Sequence, residues 1–491
     1  MLKKHIHFYQ SCLLLVLLLL ASQAWSATFN VSDVAGFQSA LTTAQSNSEN
    51  DTIIVADGIY DVSGGTLTFF SDDFEDYSIT IEGSITGATI IDGGNAVRGL
   101  DVETVALNAS VILRNLIIRN SSAGNGGGLH IATFGADIII ENCKFDSNIA
   151  SFNGGGLYVF TNDGNISINR ITARSNESGF NGGGIYIMSN GDIGDISITN
   201  SQFSNNTLNP GNSGGGLWLS SSNLATVVSV IGNSFTGNQA IAMNAIAGGV
   251  YVETMNDVNT IFTNNSVHGN TAQDGGGAYF YGNLMTIANN TISGNRALDD
   301  GGGIVFELQG GTNTLVNNIV WGNTSAAMGT DIRVRDGPGH ALTYHHNIYS
   351  DMHISGGGTV TDEGNNSNVD PGFVNSSGPN PALWDVHLTA NSPAIDAGAN
   401  TAIPDGINFD RDGQTRIVDG NADNTATVDI GSDEYQPPPP VDENDDTPST
   451  GGGGGGGCSL QQKSMFDPVL YFLLIIAGLY RFSRQSRWSQ K

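Results

Sequence analysis

The chain has 491 residues, and its 66 glycines recur in short clusters at regular intervals, which excludes a single compact core and indicates an internal repeat. Between residues 27 and 457 there are 11 basic and 46 acidic residues, a balance of −35. A surface this acidic repels phosphate backbones, which excludes nucleic acid as a partner and disfavours bare polyanionic glycans unless cations bridge them.

Residues 1–26 have the pattern of a secretory signal peptide. Two lysines precede a short apolar run over 12–21, and small residues stand at Ala24 and Ser26. We predict cleavage between Ser26 and Ala27, and therefore export. The alternative, a retained anchor helix, is disfavoured because the apolar run is too short to span a bilayer comfortably.

An amphipathic helix is predicted after the cleavage site. Val34, Phe37, Leu41 and Ala44 recur at helical spacing within 34–45. Because a solenoid must be capped at its ends, we interpret this helix as the N-terminal cap. The first coil is predicted to begin at 51–60, DTIIVADGIY.

A glycine cluster followed by aliphatic–x–aliphatic then recurs seven times. The last glycines of the copies are Gly128, Gly156, Gly184, Gly216, Gly249, Gly277 and Gly303, so a unit has about 28 residues. Alternating apolar residues and asparagines fill the space between them, with no helical stretch. Each unit is predicted to hold three strands, and each strand to pair with its counterpart one turn later.

This arrangement is an all-β fold, a right-handed parallel β-helix, predicted over residues 27–350. Glycine permits positive φ and close backbone approach at the corners. Asparagine tolerates left-handed corners, and stacked asparagine amides can bond along the axis. Cys143 is the lone cysteine of the body, which predicts a small buried residue rather than a disulfide.

The x positions of the repeat predict an aromatic stripe on the outside of the β-helix. Both flanking aliphatics face the core, so x faces solvent. Read along the repeats, x is His130, Tyr158, Tyr186, Trp218, Tyr251, Tyr279 and Val305. Two interpretations stay open: a stacked ladder that stabilises the fold, and a binding surface for a neutral glycan formed by Tyr158, Tyr186, Trp218, Tyr251 and Tyr279.

No catalytic residue is predicted. Lys144 fits a solvated strand position, and Arg333 and Arg335, with His340 nearby, fit surface positions. Asp300, which follows Asp299, corresponds in the repeat to Asn125, Asn153, Asn181, Ser213 and Asp274. Asp300 therefore fits a turn. The pair His345 and His346 lacks a nucleophile or metal spacing around it.

Residues 351–436 form a separate C-terminal segment rich in acidic loops. Asp405, Asp410, Asp412, Asp419 and Asp423 alternate with glycines, and hard cations prefer oxygen ligands. These residues predict a Ca²⁺ site, with a hydrated acidic loop as the alternative. We expect no other cofactor.

The C-terminus reads as a sorting signal. A proline-rich and acidic linker (437–457) ends in seven glycines, and residues 458–491 contain a short apolar run followed by basic residues. We predict processing near Gly457 and Cys458 and a membrane contact through this segment. The alternative is a retained tail anchor.

Several motifs resemble known families. Gly154–Leu157 and Phe203–Asn206 resemble the GGA(I/L) and FxxN repeats of chlamydial polymorphic outer-membrane proteins. NVDPGFVN (368–375), SPAIDAG (392–398), DRDGQTR (410–416) and DIGSDEY (429–435) resemble the tail of choice-of-anchor Q proteins, and 451–491 is similar to bacterial CTERM signals of the JDVT type. The resemblances imply a β-helix exported to the outer surface of a bacterial envelope.

The expected function is a monomeric, non-catalytic surface protein, an adhesin that binds a glycan or another component of a neighbouring or host cell. The alternative is a carbohydrate-active enzyme, a polysaccharide lyase or glycoside hydrolase, because such enzymes often have this fold.

Overall fold

The computed structural model describes residues 26–71, 77–222 and 226–437. Over these ranges nearly every regular element is a strand, and the strands wind into a right-handed parallel β-helix, which confirms the predicted fold class. The signal peptide before Ser26, the linker from 438 and the C-terminal processing site lie outside the described residues. Within these ranges no helix is long and apolar enough to cross a membrane.

One coil of the β-helix runs through four strands. Leu157–Thr161 is followed by Ile166–Asn169, Thr172–Arg174 and the two-residue strand Glu177–Ser178, and each pairs in parallel with its counterpart in the next coil. We number the stacked sheets 1 to 4 in this order. Three strands per coil were predicted, and the fourth was missed because a two-residue strand has no periodicity to detect.

Sheets 1 and 2 run the length of the β-helix. Sheet 1 contains Leu67–Ser71, Leu100–Thr104, Leu129–Thr133, Leu157–Thr161, Ile185–Ser189, Leu217–Ser221, Val250–Thr254, Ala278–Gly282, Ile304–Leu308, Ile332–Arg335 and Met352–Ser355. Sheet 2 contains Ser26–Val31, Asn50–Val55, Ile79–Gly83, Ser110–Arg114, Asp137–Glu141, Ile166–Asn169, Ile196–Thr199, Val227–Ile231, Asn259–Thr263, Leu284–Ala288, Thr312–Val316, Ala341–His345 and Thr359–Gly364.

Sheets 3 and 4 have shorter strands. Sheet 3 contains Gly58–Asp61, Thr89–Asp92, Leu116–Arg119, Lys144–Asp146, Thr172–Arg174, Gln202–Ser204, Ser234–Thr236, Ser266–His268, Thr291–Ser293, Ile319–Trp321 and Ile348–Tyr349. Sheet 4 contains Ser122–Ala123, Ile149–Ala150, Glu177–Ser178, Thr207–Leu208, Gln239–Ala240, Thr271–Ala272 and Arg296–Ala297.

The strands of the solenoid begin before the predicted first coil and continue after the predicted C-terminal boundary. Ser26–Val31 pairs with Asn50–Val55 ahead of the coil predicted to start at residue 51. Met352–Ser355 and Thr359–Gly364 continue sheets 1 and 2 beyond the boundary predicted at residue 350. These strands lie outside the glycine repeat, so the repeat could not reveal them.

Helix α1 (Val34–Ala44) covers the N-terminal end of the core. The Asp33 side chain accepts a hydrogen bond of 2.7 Å from a backbone N–H of the first turn and so caps the helix. Phe37 and Leu41 are fully buried in the main hydrophobic core. The predicted amphipathic cap over 34–45 is therefore confirmed.

The glycine clusters allow neighbouring coils to approach closely at the corner before sheet 1. Gly154 has a φ of +67°, and a Cβ on Gly155 would lie 2.3 Å from the carbonyl oxygen of Gly183 in the next coil. A side chain at Gly155 would therefore force the coils apart.

Asparagines form two ladders at the corners that flank sheet 3. Nδ2 of Asn206 donates to Oδ1 of Asn238 at 2.9 Å, and Asn238 donates likewise to Asn270. The residue before a ladder position has positive φ, 53° at Asn205 and 66° at Gly237. Both predicted roles of asparagine occur, but on adjacent residues. The ladders comprise Asn148, Asn176, Asn206, Asn238, Asn270, Asn295 and Asn323 after sheet 3, and Asn233, Asn265, Asn290, Asn318 and Asn347 before it.

The C-terminal segment folds back over the outer face of sheet 3. Ile430 packs with Ile319 and Ile348, whose side chains point out of the β-helix. The backbone N–H of Ser432 donates to Oγ1 of Thr291 at 3.0 Å. The segment contains the antiparallel pairs Phe373–Asn375 with Asp385–Leu388 and Ile417–Val418 with Thr427–Val428, and the 3₁₀ turns Pro381–Leu383 and Asn400–Ala402.

Two loops of this segment, 410–416 and 429–435, interlock through buried polar groups. Asp410 accepts the backbone N–H of Glu434 at 2.9 Å, and the fully buried Arg416 donates to backbone carbonyls of the second loop. Burial, reinforced by a neighbouring carboxylate, raises the pKa of Glu434 to about 8. The residues of the DRDGQTR and DIGSDEY motifs thus hold the segment together.

Candidate functional site on the outer face of sheet 1

Two rows of side chains point outward from sheet 1, because the first and third residues of each strand face the core. The second positions form the ladder row: Thr68, Asp101, His130, Tyr158, Tyr186, Trp218, Tyr251, Tyr279, Val305, Arg333 and His353. The fourth positions form the flank row: Phe70, Glu103, Ala132, Phe160, Met188, Ser220, Glu253, Tyr281, Glu307, Arg335 and Ser355.

The rings of the ladder row stack along the axis. The aromatic ladder consists of His130, Tyr158, Tyr186, Trp218, Tyr251 and Tyr279. The Tyr158 and Tyr186 centroids are 4.9 Å apart and those of Tyr186 and Trp218 are 4.3 Å apart, with 3° between the planes in each case. The stacking and its register follow the spacing of the repeat.

The ladder is not the solvent-exposed stripe that the alternation of residues predicted. Tyr186, Trp218 and Tyr251 are 7 %, 8 % and 8 % exposed, and Tyr279 is 3 % exposed. Each ring covers the faces of its neighbours, and flank-row side chains such as Met188 pack beside the stack. Burial raises the pKa of Tyr186, Tyr251 and Tyr279. The predicted glycan-binding role of the ladder stays a prediction, but the ring faces within the stack already contact neighbouring rings.

A charged cluster closes the C-terminal end of the ladder: Asp274, Asp300, Glu307, Arg333 and Arg335. Arg335 donates to Asp274 at 3.0 Å, to Asp300 at 3.3 Å and to the hydroxyl of Tyr279 at 3.2 Å. The Tyr279 hydroxyl donates in turn to Glu307. The guanidinium of Arg335 lies 6.0 Å from the centroid of the Tyr279 ring, so it also contacts the last ring of the ladder.

The candidate acid Asp300 has the predicted turn role and an additional one. It accepts the backbone N–H of Met328 at 3.1 Å while its other oxygen faces the two arginines. Burial alone would raise the pKa of Asp300, but these hydrogen bonds and charges lower it overall. The surface placement predicted for Arg333 is wrong: the residue is buried, because Asp300 neutralises it and backbone carbonyls accept its N–H groups.

The remaining residues considered in the sequence have positions that their local surroundings explain. Lys144 is exposed on sheet 3, and Nδ1 of His340 accepts the backbone N–H of a tight turn at 3.0 Å. His345 and His346 contact each other through their Nδ1 atoms at 2.8 Å. Cys143 is buried as predicted, and burial raises the pKa of its thiol to about 12.

Ionisable side chains also meet at the N-terminal end of the ladder. Nδ1 of His130 lies 2.7 Å from Asp101 and 3.7 Å from Glu103, and Arg98 forms a salt bridge with Asp101. The ligand atoms of Asp101, Glu103 and His130 lie within 4.8 Å of one another, close enough to share a metal ion.

Next to this group, a shallow cleft opens over Ala132 in the flank row. Its volume is about 200 Å³, and its lining includes Phe70, Glu103, Phe134 and Phe160. Phe70 and Phe134 are 53 % and 50 % exposed, so their rings face solvent, unlike those of the ladder. We call this the Ala132 cleft. The sequence did not reveal the cleft, because the flank-row residues follow no repeat. Its one signal was a small residue, Ala132, between the larger Glu103 and Phe160 on the neighbouring coils.

The five aspartates predicted to bind Ca²⁺ do not form one group. Asp410 is buried and occupied by backbone N–H groups. Asp419 and Asp423 accept backbone N–H groups in a separate loop, and Asp405 is exposed. Asp412 belongs to a different set of potential metal ligands, centred on His387. Calcium binding stays a prediction, and an EDTA-dependent fall in the melting temperature would support it.

His387 lies at the centre of that second set. Its Nε2 is 2.6 Å from Asp412 and 3.8 Å from Asp433, and its Nδ1 hydrogen-bonds to Asp385. The ligand atoms of His387, Asp412 and Asp433 lie within 4.8 Å of one another. The hydrogen bond to Asp412 raises the pKa of His387 to about 9, against the effect of burial and with help from Asp433 and Asp385.

Known proteins resemble this chain only distantly. Among solved structures, a pectate lyase, "Crystal structure of pectate lyase Pel9A", is similar to this chain, with a TM-score of 0.40 and 15 % identity over 80 % of this chain and 90 % of that chain. At this identity the similarity concerns the fold alone. No protein-family model and no curated protein matches the chain.

Proposed function

We propose that the chain is an exported, non-catalytic surface protein that binds a glycan on the outer face of sheet 1. The Ala132 cleft carries this proposal, since it leaves phenylalanine rings open to solvent on the same face as the aromatic ladder. Flat exposed rings suit the apolar faces of sugars, and exposed aromatic surface is typical of recognition sites. The adjoining Glu103 offers hydrogen-bond acceptors to sugar hydroxyls.

The rigidity of the strands that carry the exposed rings favours a binding role for the cleft. Successive strands of sheet 1 lie about 4.8 Å apart, and His130 and Tyr158, the first two rings of the stacked ladder, stand on two of the strands that line the cleft. A binding surface built on such strands loses little entropy when the ligand binds. An extended glycan can lie along the axis and contact several coils at once.

Export and surface display rest on the ends of the sequence. The predicted cleavage between Ser26 and Ala27 and the glycine–cysteine junction with its basic tail support transport and anchoring. The motifs over 392–398, 410–416 and 429–435 resemble choice-of-anchor Q proteins and so favour surface anchoring. Mass spectrometry of the native protein should find an N-terminus at Ala27 and no peptide from 469–480.

A carbohydrate-active enzyme is the second candidate, and the charged cluster favours it. Asp274, Asp300 and Glu307 meet two arginines and a tyrosine there, which are residue types used in acid–base chemistry. Because the arginines pair with Asp274 and Asp300, we place this candidate second. Release of shortened products from a glycan by the wild-type protein, and its loss in Glu307→Gln, would establish it.

A glycan panel scored for both retention and cleavage tests the proposal. The double variant Phe134→Ser/Phe160→Ser should lose at least about tenfold in affinity, which corresponds to roughly 1.4 kcal/mol. The control Phe152→Ser/Phe180→Ser removes two exposed rings outside the cleft and should bind like the wild type. Equal binding by all three proteins would show that the cleft is not the site.

A further inference from the structure

We infer that the ligand of the Ala132 cleft carries positively charged amines, which makes a deacetylated amino-sugar polymer its chemical class. The inference rests on the proposed function and specifies it. Three observations support it: the open space over Ala132, the aromatic rings around that space, and one carboxylate beside it, Glu103, that has no Lys or Arg partner among the described residues and lies 3.7 Å from the His130 ring.

The open space follows from strand geometry. Ala132 has Glu103 opposite it in the preceding coil and Phe160 opposite it in the next coil. Two residues before Ala132, on the same strand, lies His130, and two residues after it, in the bend that follows the strand, lies Phe134. The methyl group of alanine fills little of this position, so a cavity of about 200 Å³ remains between an acid and two rings.

The two carboxylates at this end differ in availability. Asp101 is engaged by Arg98 and by His130 at 2.7 Å. Glu103 lies 3.7 Å from His130, beyond hydrogen-bond distance, and no hydrogen bond to it occurs among the described residues. Its side chain is 42 % exposed and lines the cleft. Glu103 is therefore the acceptor that an incoming ammonium group meets.

The rings and the overall charge select the same ligand. An ammonium group above the face of Phe134 or Phe160 is attracted by the ring quadrupole and can also pair with Glu103. The body carries a balance of −35, so its field concentrates cations and repels uronates or sulfated sugars. A neutral sugar would use the rings but would gain no ion pair with Glu103.

The test compares two oligosaccharides of equal length, a chitosan hexamer and the fully N-acetylated hexamer, by calorimetry with the full chain at a pH where the amines are protonated. We expect at least tenfold tighter binding of the chitosan hexamer, and weaker binding at high salt. Glu103→Gln should abolish this preference. The control Glu363→Gln, an exposed glutamate on the last strand of sheet 2, should keep it.

The possible outcomes separate the two proposals. Equal binding of both hexamers, lost in Phe134→Ser/Phe160→Ser, would overturn the amine inference and leave the glycan site in place. Preference for chitosan that persists in Glu103→Gln would also overturn it, because the preference would then come from the overall negative charge. If no glycan of the panel binds at the cleft, both proposals are wrong.

Discussion

At the residue scale, one position shows how the sequence maintains the corners of the β-helix. Asn238 accepts the backbone N–H of Asn206 at 3.0 Å and donates to the carbonyl of Phe203 at 2.9 Å. Both partners belong to the preceding coil, and all three residues are buried. The amide therefore supplies a buried acceptor to the Asn206 N–H, which the corner would otherwise leave without a partner, and ties the Phe203 carbonyl to the next coil.

Replacing this amide should be costly. Asn238→Ala leaves the Asn206 N–H without its acceptor, at about 1–3 kcal/mol for a buried group, and removes one hydrogen bond from the Phe203 carbonyl. Asn205→Gly is the matched control, because Asn205 is exposed and contributes a left-handed corner that glycine adopts easily. Thermal unfolding followed by circular dichroism should show a clear loss for the first variant and almost none for the second. Equal melting temperatures would contradict the ladder's role.

A second prediction at this scale concerns pH. Because Asp412 and the neighbouring carboxylates raise the pKa of His387 to about 9, the folded state holds this proton more tightly than an unfolded chain, whose histidine pKa is about 6.5. The resulting stabilisation is complete below about pH 6.5 and is lost as the pH rises toward 9. The melting temperature of the wild type should therefore fall across this window more than that of His387→Gln. Parallel pH profiles of the two proteins would refute the assignment.

At the element scale, the sequence repeat predicted the register and direction of the rings in the aromatic ladder, but not their burial. The register of His130, Tyr158 and the rings beyond them followed from the spacing of the glycine clusters, and so did their outward direction. Their burial did not follow, because it depends on ring stacking and on flank-row residues with no repeat of their own. The exposed Phe70 and Phe134 escaped notice for the same reason.

The ladder should therefore contribute to stability. Tyr186→Thr/Trp218→Thr/Tyr251→Thr removes three stacked rings, and the loss of a buried Trp side chain alone costs roughly 3–5 kcal/mol. We expect a much lower melting temperature, while glycan binding at the Ala132 cleft persists below that temperature. Tyr281→Thr, in the flank row, should have a smaller effect. If the triple variant keeps its stability and loses binding, the ladder itself is the binding site.

At the scale of the whole molecule, the C-terminal segment is the part that local patterns could not place. Residues 392–398 and 429–435 were recognisable as motifs, but their position on sheet 3 depends on contacts such as that of Ser432 with Thr291, far apart in sequence. A signal was present in Ile319-Val320-Trp321, where apolar residues occupy both faces of one strand. Such a strand is typically covered on both sides.

The docking of this segment leads to the last prediction. Ile430 is buried against Ile319 and Ile348, in a cluster distinct from the main core of the β-helix. Ile430→Asp buries an unpaired carboxylate there, so the segment should detach while the solenoid stays folded. Ile417→Asp is the matched control, because this isoleucine of the same segment is exposed. Limited proteolysis should cut 371–437 rapidly in the first variant, slowly in the control, and leave the preceding solenoid intact in both. Digestion of the solenoid at the same rate as the segment in Ile430→Asp would show that the two fold as one cooperative unit.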